Sequence, residues 1–521
     1  MKLLHPKSTR TLIILILLIF FLIPVLMPLF YKGFFVSDDG EWMVIRFSAF
    51  YEAIRSGQFP VRFLMRLNQG YGYPVANFLY PGFMYLGVPL HVVGFSFVDT
   101  VKILMGASII ASVVFCYLWL RMFFSEKAAV IGALFYGYAP YHLYDLYTRG
   151  NIGELLVLAF APFVLWQLER KSLFWSCSGL GILLIMHNTL AVFFFLFLLF
   201  YLFFKAIVSK KPKTLLLQFS LLVLVGLGLS AFFWIPAVSD LRYTIFSETV
   251  VSDWQAHFSS LWLVGLQTYL IFVIVLMLFL SKRVAPSSHH LTILLLFLGL
   301  VSTFFATVGS TFLWQILPVS FVQFPFRFLS ISILCASFLI AFLFSQFSKR
   351  ETIVGFVIAL ILTGVSYWQM VIPVTQIDKG EGFYATNLDT TTVRNEYMPR
   401  WVNQLPSGYP HEKVSAGDAK VTNVVTDPNS ISFMVQGDKS SRIEVKTIDF
   451  PGWEATIDSK KTEISHTNPL GVIELRVPPG FHDVQVVFKE TFLRRISNLI
   501  TLVSFVTLVV LLLFYKRNRW F

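Results

Sequence analysis

Long uncharged stretches dominate the hydrophobic pattern of this chain. The first of them, Thr11–Phe30, carries no charged residue along its whole length. A helix rises about 1.5 Å per residue, so a stretch of roughly 20 apolar residues matches the hydrocarbon core of a bilayer. A cleavable signal peptide is the alternative, but its apolar part would be about 7–15 residues long and end in small residues. The stretch therefore predicts a transmembrane helix near the N-terminus.

Further apolar stretches follow along most of the chain. They are Ile103–Leu120, Ala128–Tyr141, Leu155–Leu168, Leu173–Met186, Leu190–Phe204, Leu215–Ala237, Leu261–Leu280, Leu291–Phe312, Phe328–Phe344, Thr352–Ile372 and Ile496–Tyr515. Those between Ala128 and Met186 are short for a full crossing, so we expect them to extend or to lie in a thin part of the bundle. Together the stretches predict a polytopic α-helical membrane protein of about 12 transmembrane helices.

Residues 375–492 have a different pattern, in which polar and apolar positions alternate between turn-forming residues. The alternating stretches are Ser430–Val435, Arg442–Ile448, Gly471–Val477 and His482–Phe488. A period of two is typical of half-buried strands and predicts a small β-sandwich before the last helix. We therefore divide the chain into a transmembrane bundle (1–374, with a long outer loop at 32–98), a β-rich domain (375–492), and a final helix with a basic tail (493–521).

Composition and charge support a membrane protein and orient it. The 521 residues are 56% hydrophobic and only 13% charged, whereas soluble domains are about 25% charged. Lysine and arginine gather at the ends of alternate stretches, at Lys2 with Lys7 and Arg10, Arg121 with Lys127, Arg170-Lys171, Lys205 with Lys210-Lys211 and Lys213, Lys282-Arg283, Lys349-Arg350, and Lys516-Arg517 with Arg519. The positive-inside rule then predicts a multi-pass protein of the cytoplasmic membrane, with both termini cytoplasmic and the β-rich domain outside.

This orientation has two consequences. It requires that Phe78–Phe95, which contains Pro81 and Pro89, lies at the interface and does not cross the membrane. It also explains the formal net charge of +12, because basic residues hold the cytoplasmic ends of the helices. The lipid bilayer is thus the expected partner, and the charge does not indicate nucleic-acid binding.

Acidic residues follow directly after the first apolar stretch, in Ser37-Asp38-Asp39-Gly40-Glu41. One interpretation is a capping box, in which Asp38 caps the next helix and Glu41 closes the box. The other is a carboxylate pair at the membrane boundary, available as a general base or a metal ligand. Both interpretations remain open at this point, since one aspartate could cap while the other faces a cavity.

A second set of polar residues falls on the predicted outer side. Arg62, Arg66, Arg149 and Arg327 run against the basic-inside pattern. Guanidinium groups suit bidentate binding of phosphate, although interfacial snorkelling is the simpler alternative. The remaining members of the set are acids, aromatics and amides at or near predicted span ends: Asp145, Glu154, Glu41, Tyr80, His187 and Gln323.

The order of these motifs resembles that of the GT-C superfamily of membrane glycosyltransferases, which use polyprenyl-phosphate-linked sugars. More narrowly, the chain resembles bacterial membrane proteins described as 6-pyruvoyl-tetrahydropterin-synthase-related. Besides the acidic pair, the segments that carry the likeness are Asn68-Gln-Gly-Tyr-Gly-Tyr-Pro74, Arg149-Gly-Asn-Ile-Gly-Glu154, Gln323-Phe-Pro-Phe-Arg327, Glu396-Tyr-Met-Pro-Arg400-Trp401, Pro451-Gly-Trp453 and Val477-Pro-Pro-Gly480-Phe-His482. Pterin synthase chemistry is not expected, because the sequence has no histidine cluster with zinc-ligand spacing.

The resemblance implies a glycosyltransferase whose first outer loop supplies the catalytic acid. On this basis Asp38 or Asp39 is the expected general base of an inverting transfer to a glycan, lipid or protein acceptor. Asp145 or Glu154 would form the second acidic loop. The arginines Arg149 and Arg327, or Arg62 and Arg66, would stabilise the departing polyprenyl phosphate.

Whether a metal takes part is left open by the sequence. Oligosaccharyltransferase-like relatives have an aspartate where this chain has Arg-Gly-Asn-Ile-Gly-Glu at 149–154. If a divalent cation such as Mg²⁺ or Mn²⁺ binds, its expected ligands are Asp38, Asp39 and Asp145.

Two other functions remain open. A transporter or flippase of lipid-linked glycans would use the same polar cavity, but inverted repeats and charges midway along the spans would then be expected. A non-catalytic scaffold with a glycan- or protein-binding outer domain is the third possibility. Convergence of Asp38, Asp39, Asp145 and Arg327 on one cavity would favour the enzyme over the scaffold.

Overall fold

The computed structural model describes residues 6–249, 253–281, 290–317 and 322–517. Four of the basic residues used above to orient the chain, Lys2, Lys282, Arg283 and Arg519, lie outside the described residues. The architecture is a helical bundle followed by a β-rich region and a last long helix.

The helices of the first part of the chain are α1 (Pro6–Leu26), α2 (Gly40–Arg55), α3 (Gly82–Val92), α4 (Phe97–Leu120), α5 (Glu126–Tyr138), α6 (Pro140–Leu143), α7 (Ile152–Glu169), α8 (Leu173–Leu184), α9 (Asn188–Ile207) and α10 (Pro212–Leu229). Those of the second part are α11 (Ala231–Asp240), α12 (Leu261–Val264), α13 (Leu266–Leu280), α14 (His290–Ala306), α15 (Thr311–Ile316), α16 (Leu329–Gln346), α17 (Lys349–Met370), α18 (Gly380–Thr386) and α19 (Phe492–Arg517).

Each predicted apolar stretch contains a helix, but fewer helices than predicted meet the requirements of a span. Among the described residues, 7 helices are long and apolar enough to cross a membrane, or up to 8 if the bent pair α14 and Val308–Ile316 is one span. Of the three short stretches, α7 extends to 18 residues, whereas α5 and α8 have 13 and 12. The predicted number of about 12 spans is therefore not confirmed.

The segment that had to stay out of the membrane forms α3, a helix of 11 residues. This length falls well short of the roughly 20 residues that a crossing needs. Long apolar side chains remain exposed on α1 and α19. In water such a surface would be costly, whereas a bilayer covers it.

The β-rich region contains the strands β3 (Val414–Ala416), β4 (Lys420–Asp427), β5 (Ser430–Gly437), β6 (Ser441–Ile448), β7 (Trp453–Ile457), β8 (Lys460–Thr462), β9 (Val472–Val477) and β10 (Gly480–Phe488), after the short pair β1 (Phe34–Phe35) and β2 (Gln376–Ile377). One sheet has the order β4-β5-β10-β7-β8 and the other β3-β6-β9. The four strands predicted from alternation are confirmed as β5, β6, β9 and β10.

Contacts tie the loop after α2 to the β-rich region. The backbone N–H of Ile448 donates to the carbonyl of Tyr71 at 2.8 Å. The Phe63 ring lies 5.4 Å from that of Trp453, edge to face. In addition, β1 pairs with β2, which directly precedes the β-rich region. The loop, the acidic segment after β1 and the β-rich region therefore lie at the same end of the bundle.

Candidate functional site

The acidic segment after α1 lies against the loop between α6 and α7. The backbone N–H groups of Asp38 and Asp39 donate to the carbonyls of Thr148 and Arg149 at 2.9 and 2.8 Å. Gly150 has a φ of +62°, and an added Cβ would lie 2.5 Å from Ser37 Oγ. Only glycine combines this conformation with so close an approach, so Gly150 brings the two loops together.

Arg149 joins the two aspartates. Its Nη1 donates to Asp38 Oδ2 at 3.1 Å and its Nη2 to Asp39 Oδ2 at 2.6 Å. Asn151 Nδ2 also donates to Asp39 Oδ2, at 3.3 Å. The side chain of Asp38 is 50% exposed and that of Asp39 only 19%. Asp38 is thus the accessible and more weakly held member of the pair.

The capping-box interpretation of this segment is wrong. The N-cap of α2 is Asp39, and its side chain makes no capping hydrogen bond. Glu41 turns to the other side of the segment, where it accepts from Lys379 Nζ at 2.9 Å and from the Tyr384 hydroxyl at 3.0 Å. Both aspartates bond instead to Arg149, where donor and acceptor are both ionised.

A π-helical turn, Tyr144–Arg149, positions Arg149 at the end of α6. Such turns insert an extra residue into a helix and are frequent at functional sites. The turn also buries Asp145 completely. No donor among the described residues reaches either oxygen of its carboxyl group. Burial, followed by the neighbouring Glu154 carboxyl, raises the pKa of Asp145 well above its ordinary value, which favours the neutral form of the group.

Glu154 lies at the centre of the cluster and is fully buried in the first turn of α7. Its Oε1 accepts from Arg327 Nε at 3.0 Å and its Oε2 from the Tyr141 hydroxyl at 3.0 Å. The side-chain oxygen of Asn151 accepts from the backbone N–H of Glu154 at 3.2 Å and so caps α7. The paired and hydrogen-bonded carboxylate can remain ionised in an environment that otherwise excludes charge.

Arg327 enters the cluster from the turn before α16. Its Nη1 donates to the Val322 carbonyl at 2.9 Å and to Gln323 Oε1 at 3.2 Å. The guanidinium groups of Arg149 and Arg327 lie 5.1 and 4.8 Å from the centre of the Phe324 ring. Cation–π contact lets an aromatic ring hold two positive groups near each other. The result is a pair of arginines around one phenylalanine.

Tyr80 and His187 complete the site. The Tyr80 hydroxyl donates to Asn151 Oδ1 at 3.1 Å, and its ring lies 4.7 Å from that of His187. His187 Nδ1 accepts from the Leu190 N–H at 3.2 Å, so the proton belongs on Nε2, which is 3.4 Å from Glu154 Oε1. Burial lowers the pKa of His187 to about 3. The imidazole is therefore a neutral hydrogen-bonding group.

The structure brings most of the predicted residues together but separates three of them. Arg62, which is 1% exposed, pairs with Glu490 at 3.1 Å. Arg66 donates to Ser48 Oγ at 2.5 Å and to the Ala385 carbonyl at 2.5 Å. Within the described residues, the side-chain partners of Arg62, Arg66 and Glu41 lie on other elements, outside the cluster.

Sequence reasoning missed Asn151 and Tyr141 as members of the site. Asn151 bonds to Asp39, Tyr80 and the N–H of Glu154. It stands inside the Arg-Gly-Asn-Ile-Gly-Glu segment at 149–154, where oligosaccharyltransferase-like proteins have an aspartate. An amide can donate to a carboxylate, whereas a second carboxylate could only repel it. This departure from the motif of the proteins that the sequence resembles was the available signal.

The arrangement does not fit a divalent cation. Among residues 6–249, 253–281, 290–317 and 322–517, no group of three or more His, Cys, Asp or Glu side chains could hold a metal ion. The Arg149 guanidinium stands between the two aspartates and already shares their oxygens. No step of the proposed reaction is therefore assigned to Mg²⁺ or Mn²⁺.

Comparison with protein-family models and with curated proteins finds no match. Solved structures give weak likenesses. The apo oligosaccharyltransferase of Archaeoglobus fulgidus is 14% identical with a TM-score of 0.45, covering 78% of this chain and 62% of its own. Its complex with Zn and sulfate gives the same identity and score over 77% and 59%. ArnT from Cupriavidus metallidurans bound to undecaprenyl phosphate is 14% identical with a TM-score of 0.39, over 73% and 68%. The chain thus spans about three fifths of the length of the oligosaccharyltransferase chains.

Proposed function

We propose that this protein is a GT-C-type membrane glycosyltransferase that moves a sugar from a polyprenyl phosphate to an acceptor hydroxyl. One observation carries the proposal. Asp38, Asp39, Arg149, Glu154 and Arg327 come from three distant segments and meet in one polar cluster at the end of apolar helices. A non-catalytic scaffold would not need two arginines and an exposed carboxylate at one place.

Asp38 is the proposed general base. Its half-exposed carboxylate is accessible to an acceptor, and only one bond of 3.1 Å holds it to Arg149. As the acceptor oxygen bonds to the anomeric carbon, its proton passes to Asp38. The bond from that carbon to the phosphate oxygen breaks, and its electron pair leaves with the phosphate. A single displacement of this kind inverts the anomeric centre.

Asp39 has a different role in the proposal. It is less exposed and receives bonds from both Arg149 and Asn151, so it holds the arginine in place. When the phosphate of the donor approaches, it replaces Asp38 as the partner of Nη1 and frees that carboxylate. A guanidinium fork fits phosphate oxygens as well as it fits carboxylates.

The leaving phosphate gains negative charge, and Arg149 with Arg327 would stabilise it. Both are already oriented, Arg149 by the aspartates and Arg327 by Glu154 and the Val322 carbonyl. Groups that are fixed before the reaction do not have to reorganise during it. Arg62 is buried against Glu490, and Arg66 bonds to Ser48 and to the Ala385 carbonyl. Neither arginine therefore has a role in the proposed reaction.

The orientation read from the basic residues belongs to the same proposal. Both termini are cytoplasmic in it, and the acidic segment shares the outer side with the β-rich domain of residues 375–492. That domain would position a glycan, lipid or protein acceptor. We also propose that the chain belongs with the 6-pyruvoyl-tetrahydropterin-synthase-related membrane proteins, which its motifs resemble.

The test is an assay of the purified full-length chain in proteoliposomes with a panel of polyprenyl-phosphate sugars. We expect consumption of one donor and a product of inverted anomeric configuration. Asp38→Asn should reduce the rate by about 10²-fold or more, the range typical of a lost general base. Glu52→Gln is the matched control, because Glu52 is also about half exposed, at 46%, and pairs with an arginine, Arg66, at 3.2 Å outside the cluster.

Three outcomes would contradict the proposal. Unchanged turnover in Asp38→Asn would refute the role of that residue. Movement of intact lipid-linked sugar across the membrane, without cleavage, would indicate a flippase. Binding of a glycan or protein with no donor consumed from a broad panel would indicate a scaffold.

A further inference from the structure

A cavity with both polar and apolar lining lies away from the cluster of Asp38, Asp39, Arg149, Glu154 and Arg327, which we name the acid–arginine cluster. It has a volume of about 1060 Å³ and is bounded by the C-terminal end of α1, the first half of α4, and α18. Typical small-molecule pockets measure roughly 300–1,000 Å³, so this cavity, which we name the lateral groove, is at the large end of that range. Glu41, which turns away from Arg149, meets α18 beside it.

The inner part of the lateral groove is apolar. Its lining there includes Leu29, Ile103, Gly106, Ala107 and Ile110. Ala107 and Ile103 are exposed on α4, a helix long and apolar enough to cross a membrane. The groove therefore opens sideways along a transmembrane helix, where the surrounding medium is lipid. Alkyl chains are the matching ligand for such a wall.

The other end of the lateral groove carries charges of both signs. Lys102 is 5% exposed, and its Nζ donates to the carbonyls of Tyr31 and Gly33 at 2.5 and 2.9 Å. An ammonium has three N–H donors, so one remains beyond these two carbonyls. Among the residues that the structure describes, no carboxylate lies within ion-pair distance of Lys102.

Two carboxylates of the same end, Asp99 and Glu381, form no ion pair within 4.0 Å in the described part of the chain, although Asp99 acts on Lys102 at longer range. The other charged groups of the lining are already paired, Lys32 with Asp378 and Lys379 with Glu41. Asp99 accepts from Ser96 Oγ at 2.8 Å, and Glu381 accepts from the Phe97 N–H at 2.6 Å. Asp99 and Lys102 are three residues apart and so share a face of α4. A ligand with one anionic and one cationic group would satisfy all three side chains.

We infer that the lateral groove binds one phospholipid of the ethanolamine type. Its acyl chains would lie on the apolar wall, its phosphate near Lys102, and its ammonium near Asp99 and Glu381. A primary ammonium fits these carboxylates because it donates N–H bonds to them, whereas the quaternary ammonium of choline has no such donor. A purely anionic lipid would leave both carboxylates unpaired beside its own charge.

The experiment is native mass spectrometry of the full chain, released from mixed micelles with equimolar phosphatidylethanolamine, phosphatidylcholine and phosphatidylglycerol. We expect one retained phosphatidylethanolamine, preferred by about tenfold, which corresponds to about 1.4 kcal/mol. Ala107→Trp fills the groove from an exposed position and should abolish retention. Leu217→Trp is the control, because Leu217 is 73% exposed on α10, outside the groove.

The headgroup assignment has its own variant. Asp99→Asn with Glu381→Gln keeps hydrogen-bond acceptors for Ser96 and Phe97 but removes both charges, so the preference over phosphatidylcholine should disappear. Equal retention of the three lipids by the unaltered chain would overturn the assignment, as would retention that Ala107→Trp does not reduce. Displacement of the bound lipid by polyprenyl phosphate would identify a different occupant and also overturn it. None of these results depends on transferase activity.

Discussion

Two regions of the molecule join arginine to aspartate, and they differ in access. In the acid–arginine cluster, Arg149 holds Asp38, whose side chain is 50% exposed. Near the start of α19, Arg494 Nε and Nη2 both donate to Asp240 Oδ2, at 3.1 and 2.9 Å, with side-chain exposures of 0% and 5%. Asn77 Nδ2 donates to the same oxygen at 3.0 Å.

This difference in access distinguishes an ion pair that holds helices together from one that a ligand could reach. The pair of Asp240 and Arg494 joins α11 to α19 and presents no free surface to a ligand. The Arg494 guanidinium also lies against the rings of Phe450 and Phe488, so the pair fixes the start of the last helix against α11 and the β-rich region. The acid–arginine cluster has the same chemistry with one carboxylate left accessible. Burial of charge alone therefore does not mark a site, and the feature that distinguishes the acid–arginine cluster is a half-exposed carboxylate beside buried ionisable groups.

The largest effect should come from breaking the buried pair of Asp240 and Arg494. Asp240→Asn leaves the Arg494 guanidinium buried without a counter-charge, which typically costs about 3–5 kcal/mol. We expect loss of folded, monodisperse protein, measured by size-exclusion chromatography and thermal unfolding in detergent. Asp38→Asn in the same assays should change stability by less than about 1 kcal/mol, because Asp38 is half exposed. Equal destabilisation by both changes would remove the distinction between the two regions.

The second effect concerns activity and not stability. Arg149→Met removes one of two groups proposed to stabilise the leaving phosphate, so the transfer rate should fall by about 10²–10³-fold. Rates measured with the responsive donor of the proteoliposome assay check this. Arg62→Met is the matched change at an arginine that pairs with Glu490, and it should affect stability more than turnover. A greater kinetic loss in Arg62→Met would reverse the assignment.

The third effect is a pH dependence of stability inside the cluster. Because its pKa is raised, Asp145 stays protonated in the folded protein to a higher pH than in the unfolded chain, which releases that proton above about pH 4. The unfolded state then binds fewer protons, so this residue lowers the free energy of unfolding as pH rises. Asp145→Asn should flatten that part of the stability–pH curve. An unaltered slope in thermal unfolding between acid and neutral pH would show that Asp145 is ionised.

A further pH dependence of stability is expected where the β-rich region meets the loop after α2. Lys413 Nζ donates to the carbonyls of Gly70 and Lys446 at 2.7 and 2.8 Å, and burial lowers the pKa of Lys413 to about 7. Between pH 7 and about 10.4 the unfolded chain binds the extra proton, so stability should rise with pH over this window. Lys413→Met should remove the rise. A fall in stability over the same pH range would contradict the assigned shift.

Much of the fold could be predicted because its signals are local. Alternation at Ser430–Val435 and His482–Phe488 was sufficient to predict β5 and β10, since a period of two follows from the strand backbone itself. The number of membrane crossings could not be predicted in the same way. The helices α5, α8 and α13 lie in apolar stretches but are too short to count as spans by length and composition. Neighbouring helices decide how short helices sit in a bundle.

The site shows the same division. The sequence by itself supplied a chain rich in apolar helices, a β-rich region before the last one, and a short list of polar residues beside span ends. Only the tertiary structure decided that Arg149 and Arg327 share Phe324 while Arg62 pairs with Glu490. The physical reason is that hydrophobicity and strand alternation act between near neighbours along the chain. Ion pairs instead join residues more than a hundred positions apart, as Asp38 and Arg149 are.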